Sequence, residues 1–319
     1  MMKLTIKYAF IVLYLQSMFV AAADFDKWVW KDIEVVGHNK LTREQITQFI
    51  PLEVGAKYKH EKEKWDAWCA QVKAYLILHH ASCSALLYSD FSAYLVVDII
   101  EQQDAARTNF REPPQKEIDF VPAEIIAAHE ELMNRVWELF KAGNPPIENY
   151  ENGFKDYDDP KAHQLSLKLQ RLVPKYRENI LDTLENDLYE QKRVMAADLL
   201  NWADNTSDSI SRVHRLLNDP SYTVRNDISR FMMSFVAKVP DKSLLPGVID
   251  SLVVQLEYPS HGDRNKALYA LLAIADNFQE LHEYLRKTGQ GPIERIAEQS
   301  ILSNVGSVAD DLKKKLSLK

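Results

Sequence analysis

Leu216-Leu217-Asn218-Asp219-Pro220-Ser221-Tyr222-Thr223-Val224-Arg225 is the stretch that decides how the C-terminal half is read. Asp219-Pro220 breaks the helix that ends in the leucine pair, because proline has no N–H and pushes the residue before it out of the helical region. Val224-Arg225 then opens a new helix. A similar opening stands at Arg193-Val194-Met195-Ala196-Ala197-Asp198-Leu199-Leu200. It recurs at Arg264-Asn265-Lys266-Ala267-Leu268-Tyr269-Ala270-Leu271-Leu272 and, more faintly, at Arg295-Ile296-Ala297-Glu298-Gln299-Ser300-Ile301-Leu302. The anchoring arginines, with Arg225 as the second, lie 32, 39 and 31 residues apart. A period of this size marks helix pairs that cannot bury their apolar faces alone and therefore stack. The expectation is an all-α helical-repeat solenoid over 123–319. In it Asp219 and Pro220 set the turn, Val224 packs between repeats and Arg225 meets a neighbouring acid.

Composition agrees with a mainly helical chain. The sequence has 319 residues, of which 46% are hydrophobic and 27% charged, ample for a packed core and unlike a disordered or polytopic membrane protein. There are only nine glycines. Gly289 and Gly291 stand close together, but Pro292, Ile293 and Glu294 follow, so no dinucleotide or phosphate-loop fingerprint is present.

At the N-terminus Lys3 and Lys7 precede an apolar run from Tyr8 to Val20, and Ala21-Ala22-Ala23 supplies small residues for cleavage. This pattern predicts an export signal over 1–23 and a protein that is periplasmic or secreted, with no integral membrane anchor once the signal is removed. The net charge is −7 and becomes more negative when Lys3 and Lys7 leave, which disfavours nucleic acid as a partner. Export permits Cys69 and Cys83 to pair. Cys69, however, falls mid-helix and Cys83 just beyond that helix, which at about 1.5 Å per residue puts them more than about 12 Å apart. Two small buried hydrophobes are the favoured reading.

Residues 24–101 read as a β-α-α-β-β module. Trp28 to Val36 is strand-like, with Ile33 and Val35 on one face, and Gly37-His38-Asn39 turns. Thr42 and Gln45 form a capping box for a short helix, and Leu41 and Ile46 are spaced as its hydrophobic staple. A longer helix starts near His60 and lines up Trp65, Trp68, Cys69, Val72 and Leu76. Ser84 to Tyr88 and Ala93 to Glu101 follow as strands around a Ser89-Asp90 turn. Gln102 to Pro122, polar and carrying Pro113-Pro114, is expected to be an extended linker.

That order, with Val-Val-Gly-His-Asn-Lys-Leu-Thr-Arg-Glu-Gln-Ile at 35–46, Pro-Leu-Glu-Val-Gly at 51–55 and Val-Val-Asp-Ile-Ile-Glu at 96–101, resembles the POTRA domain over about 28–101. His38, between Gly37 and Asn39, departs from the family pattern. The resemblance implies a three-stranded sheet with two helices on one face, no catalysis, and binding of other proteins by strand addition at a free edge. The edge would be Ser84, Ala85, Leu86, Leu87 and Tyr88. The string at 216–231 is similar to a HEAT repeat, which extends the reading to helical repeats over about 175–315.

Candidate chemistry is sparse. His79-His80 point to different faces. His129-Glu130 has Met133 where a zinc protease motif would place its second histidine. Asp156-Tyr157-Asp158-Asp159 lacks the glycine and closing glutamate of a calcium loop. Asn205-Thr206-Ser207 is a glycosylation sequon. No cofactor or metal is called for. The function expected is that of an exported, non-catalytic protein-binding adaptor or scaffold, in the setting of cell-envelope assembly. The alternative is an exported enzyme with an unrecognised site on the helical domain.

Overall fold

The computed structural model describes residues 27–88, 90–203 and 206–317. The export signal at 1–23 lies outside the described residues, as do Ser89 of the turn and Asn205 of the sequon. The described chain is predominantly helical with a small mixed sheet. It packs as two compact units, one over 115–203 and one joining 27–114 to 206–317.

The second unit is built on the sheet. β1 (Val29–Val36) is followed by α1 (Arg43–Thr47), α2 (Lys62–Tyr75), β2 (His80–Leu87) and β3 (Ser92–Ile100). The strand order is β1-β3-β2, with β1 parallel and β2 antiparallel to the central β3. The register of β1 slips between Trp30 and Asp32. That one-residue bulge at Lys31 reverses the alternation, so Trp28 and Trp30 share the buried face with Ile33 and Val35. Trp65, Trp68, Cys69 and Val72 of α2 and Ile46 of α1 complete this core. Thr42 caps α1 through the reciprocal box with Gln45.

The turn after β1 is held from the far end of the sheet. One carboxylate oxygen of Glu101 accepts the backbone N–H groups of Asn39, Lys40 and Leu41 at 2.7, 2.8 and 3.1 Å. Gly37 adopts φ +90°, and a Cβ there would come within 2.2 Å of the Ile99 carbonyl oxygen, so only glycine fits.

Cys69 and Cys83 form a disulfide, contrary to the spacing argument, with Cα atoms 5.8 Å apart. Axial rise measures distance only while the helix continues. Here the chain reverses after Tyr75, with Ile77 at φ +53°, and β2 returns alongside α2. The expected extended linker is also corrected at its start. Gln102–Thr108 is a 3-10 helix, and Arg107 within it bonds the Gly37 and Glu257 carbonyls at 3.0 and 2.8 Å. These side-chain bonds to distant carbonyls anchor a segment whose polar composition reads as linker.

The sheet's other face is buried as well. Val36, Val96 and Ile100 lie there with two carboxylates, Glu34 and Asp98, both nearly inaccessible. The helices α7 (Thr206–Val213), α8 (Tyr222–Phe235), α9 (Leu245–Leu256), α10 (His261–Asn277), α11 (His282–Gln299) and α12 (Gly306–Leu316) belong to the same unit. Their central member, α10, packs on α8, α9 and α12. Asp98 is ion-paired with Arg264 of α10, and Glu34 accepts the Ile301 N–H at 2.9 Å and the Ser300 hydroxyl. The sheet is therefore the middle layer of three.

The unit over 115–203 contains α3 (Ala123–Lys141), a small hairpin of β4 (Glu148–Asn149) and β5 (Asp156–Tyr157), α4 (Pro160–Leu172), α5 (Arg177–Asn186) and α6 (Glu190–Leu199). α3 packs on α4, and α5 on α6. No helix among the described residues is long and apolar enough to cross a membrane.

Candidate functional site: a sheet edge and buried arginine anchors

β2 forms one border of the three-stranded sheet, and among the described residues no strand pairs with its outer side. Ser84, Ala85, Leu86 and Leu87 lie on it, and Tyr88 follows directly. The Tyr88 N–H donates to the Ser92 carbonyl at 2.9 Å. Antiparallel alternation then turns the N–H groups of Leu87 and Ala85 away from β3. Their side chains lean on the α2 core, whereas Leu86 is buried on the opposite face. The disulfide anchors this strand at Cys83. The other border differs. The Gly55 N–H donates to the Trp30 carbonyl at 2.8 Å, the Tyr58 N–H to that of Trp28 at 2.8 Å, and the Trp30 N–H to that of Ala56 at 3.0 Å. The segment before α2 thus covers the first half of β1.

The recurring arginines share one local device. Arg225 donates from Nη1 to the carbonyl of Asp219, six residues back, at 2.7 Å. Arg193 donates likewise to the Asp187 carbonyl at 2.9 Å, and Arg264 to the Tyr258 carbonyl at 2.8 Å. Each guanidinium thus satisfies a carbonyl left over where the chain turns into a new helix. The aspartates repeat as well. Asp187 Oδ1 accepts the Tyr189 N–H at 2.7 Å, and Asp219 Oδ1 accepts the Ser221 N–H at 2.8 Å. This spacing of aspartate and arginine stood in the sequence and is the signal that would have found two of the three. Arg295 does not follow it. α11 runs through Pro292 without a break, so Arg295 lies mid-helix and pairs with Glu257 at 2.7 Å instead.

Val224 is fully buried in α8. Arg225 pairs with Asp263 at 2.9 Å and lies 4.3 Å from the centre of the Phe110 ring. Asp263 also accepts from Gln255 at 2.9 Å, and Asp219 is paired with Arg111. The Pro220 carbonyl accepts from Arg225 at 3.3 Å.

Most of the remaining titratable side chains have internal partners. In the unit over 115–203, His129 of α3 bonds Asp198 of α6 at 2.9 Å, and Lys155 reaches the other oxygen of Asp198 at 2.9 Å. Burial penalises both charges, but Asp198 holds the Lys155 ammonium well above its ordinary range. In return Lys155 and His129 hold the Asp198 carboxyl far below its own. Sequence reasoning missed this cluster, because its members come from three separate elements. Asp159 caps α4 and takes both arms of Arg135 at 3.0 and 2.7 Å. Those bonds, with the α4 N–H groups, hold its carboxyl at about 2. Asp156 bonds His163 at 2.8 Å, and Asp158 accepts the Ile147 N–H at 2.7 Å. His79 bonds Thr108 at 2.9 Å. Among the described residues, no three His, Cys, Asp or Glu side chains are grouped to hold a metal ion.

Comparison with family models, with curated proteins and with solved structures returns no match for this chain.

Proposed function

We propose that this protein is an exported, non-catalytic adaptor or scaffold, in which a POTRA-like module takes an extended strand of a partner protein along β2 and a HEAT-like helical array offers a second contact surface. The observation that carries the reading is the asymmetry of the two sheet borders: chain from the same module covers half of β1, while the outward N–H groups of Ala85 and Leu87 are left for another strand. Backbone donors of this kind give affinity without requiring a particular side-chain chemistry. The buried second face supports the same reading, since it leaves the sheet to grow only at its edges, of which, among the described residues, β2 is the uncovered one along its whole length. The Asp98–Arg264 ion pair and the hydrogen bonds of Glu34 tie the sheet to the segments behind it, which limits the ordering cost of binding.

Capture from the native cell envelope, read by mass spectrometry, tests the proposal when wild type is compared with Leu87→Pro. The variant removes one outward donor, and circular dichroism checks its fold. Loss of a captured protein, together with slowed amide exchange at Ala85 and Leu87 when wild type holds it, is the expected result. Undiminished capture by a folded Leu87→Pro protein, or unchanged exchange at both amides, overturns strand addition.

A further inference from the structure

Three guanidinium groups converge on one small cleft in the unit that holds the sheet. Arg107 comes from the 3-10 helix after β3, Arg264 from α10 and Arg295 from α11. Gly37, Leu256, Glu257 and Gln299 are among the other residues that line it. The cavity measures about 10 Å³, room for a single occupant the size of a water molecule.

The cleft is richer in donors than in acceptors. Asp98 is taken by Arg264 Nη2. Glu257 receives Arg107 Nε at 3.0 Å and Arg295 Nη1 at 2.7 Å. The carbonyls of Tyr258 and Gly37 take two further N–H groups, and the Glu257 carbonyl shares the Arg107 Nε–H with the carboxylate. Arg264 Nε, on a side chain 2% exposed, is buried with no partner at all. Arg107 Nη2 and Arg295 Nη2 make no hydrogen bond to the described residues and stand on side chains 12% and 29% exposed. The unpaired buried donor of Arg264 is costly, the more so for belonging to a cation. Burial above all holds the Arg107 guanidinium below its ordinary range; Glu257 opposes this, and the like charges of Arg264 and Arg295 add to it more weakly. Asp104, which also acts on Arg107, accepts from the Asn39 amide at 2.7 Å, and Glu34 faces Ser300 and Ile301.

We propose that this cleft binds a small monovalent inorganic anion of chloride size, held by N–H groups of Arg107, Arg264 and Arg295. An anion is the occupant that satisfies surplus donors and relieves repulsion among three cations together. A cavity of this size favours a single-atom ion over an oxyanion of several atoms. Bound there, the anion ties the turn after β1 to α10 and α11, and so links the sheet to the helices behind it.

The test is thermal unfolding of the full chain in sodium chloride against sodium gluconate at equal ionic strength, since gluconate is too large to enter. Chloride at about 100 mM should raise the midpoint by roughly 2 °C or more over gluconate. Arg295→Gln, altering the most exposed of the three arginines, should remove at least half of that difference whatever its own stability. Crystals grown in sodium bromide should show an anomalous peak in the cleft. Equal midpoints in the two salts, a difference that survives Arg295→Gln, or bromide absent from the cleft would each overturn the assignment.

Discussion

Arg264 of α10 and Asp98 of β3 form an ion pair across 166 residues of sequence, with the side chains 2% and 4% exposed. Neither charge has water to fall back on. Removing one partner leaves the other desolvated, whereas replacing both with apolar groups of similar size need not destabilise. Asp98→Asn should therefore lose about 3–5 kcal/mol in urea unfolding. The double variant Asp98→Leu/Arg264→Met should recover more than half of that loss. A double variant as weak as the single one would show that the pair itself, rather than an orphaned charge, carries the energy.

The disulfide closes a loop with a sequence separation of 14 and pins the edge strand to α2. Chain-entropy arguments give about 3 kcal/mol for a loop of this length. Cys69→Ala/Cys83→Ala should be destabilised by about that amount, and reduction of wild type should match it. A double variant within about 0.5 kcal/mol of wild type would count against the bond.

The module's β-α-α-β-β order was legible because its signals are local. Thr42 and Gln45 lie one turn apart, and the alternation of β1 and β3 is read within a few residues. The arginine period was legible for a similar reason, since each anchor bonds a carbonyl only six residues back. What could not be read depends on distant chain. Glu34 and Asp98 look like the polar face of a half-exposed strand until Ser300 and Arg264 arrive from far along the sequence. The chain reversal at Ile77, which brings Cys83 back to Cys69, leaves no turn signature such as Gly or Asn. Arg295 looked like a fourth anchor because its sequence repeats the pattern, but Pro292 is accommodated inside α11 at the cost of one backbone hydrogen bond.

Val224 lies fully buried at the start of α8, two residues behind its first position. A carboxylate there has no partner of opposite charge to spare, because Arg225 is already paired with Asp263. Val224→Asp should cost on the order of several kcal/mol, and Val224→Ala about 1–3 kcal/mol, in denaturant unfolding. Wild-type midpoints for the aspartate variant would refute the role given to this side chain.

Ile77 combines φ +53° with a side chain 74% exposed. A β-branched residue pays steric strain in that region and recovers little from burial. Ile77→Gly should therefore raise stability by about 1 kcal/mol, even though glycine loses more backbone freedom on folding. A clear loss of stability instead would mean that the isoleucine side chain makes a contact worth more than the strain.

His261 opens α10 and is buried beside Asn304, whose amide nitrogen lies 3.4 Å from its Nε2. Burial, then the charges of Arg264 and Lys266, holds the imidazole at about 3, far below its ordinary value of 6.5. The folded protein therefore keeps this ring neutral where the unfolded chain protonates it. Protons bind the unfolded state preferentially between about pH 6.5 and pH 3, so stability falls as pH drops through that window. His261→Gln keeps a polar group near Asn304 but cannot titrate. Urea unfolding at pH 7 and at pH 4.5 should show a smaller acid loss for the variant than for wild type, by on the order of 1–2 kcal/mol. Equal losses in the two proteins would mean that His261 takes up its proton in the folded state without penalty.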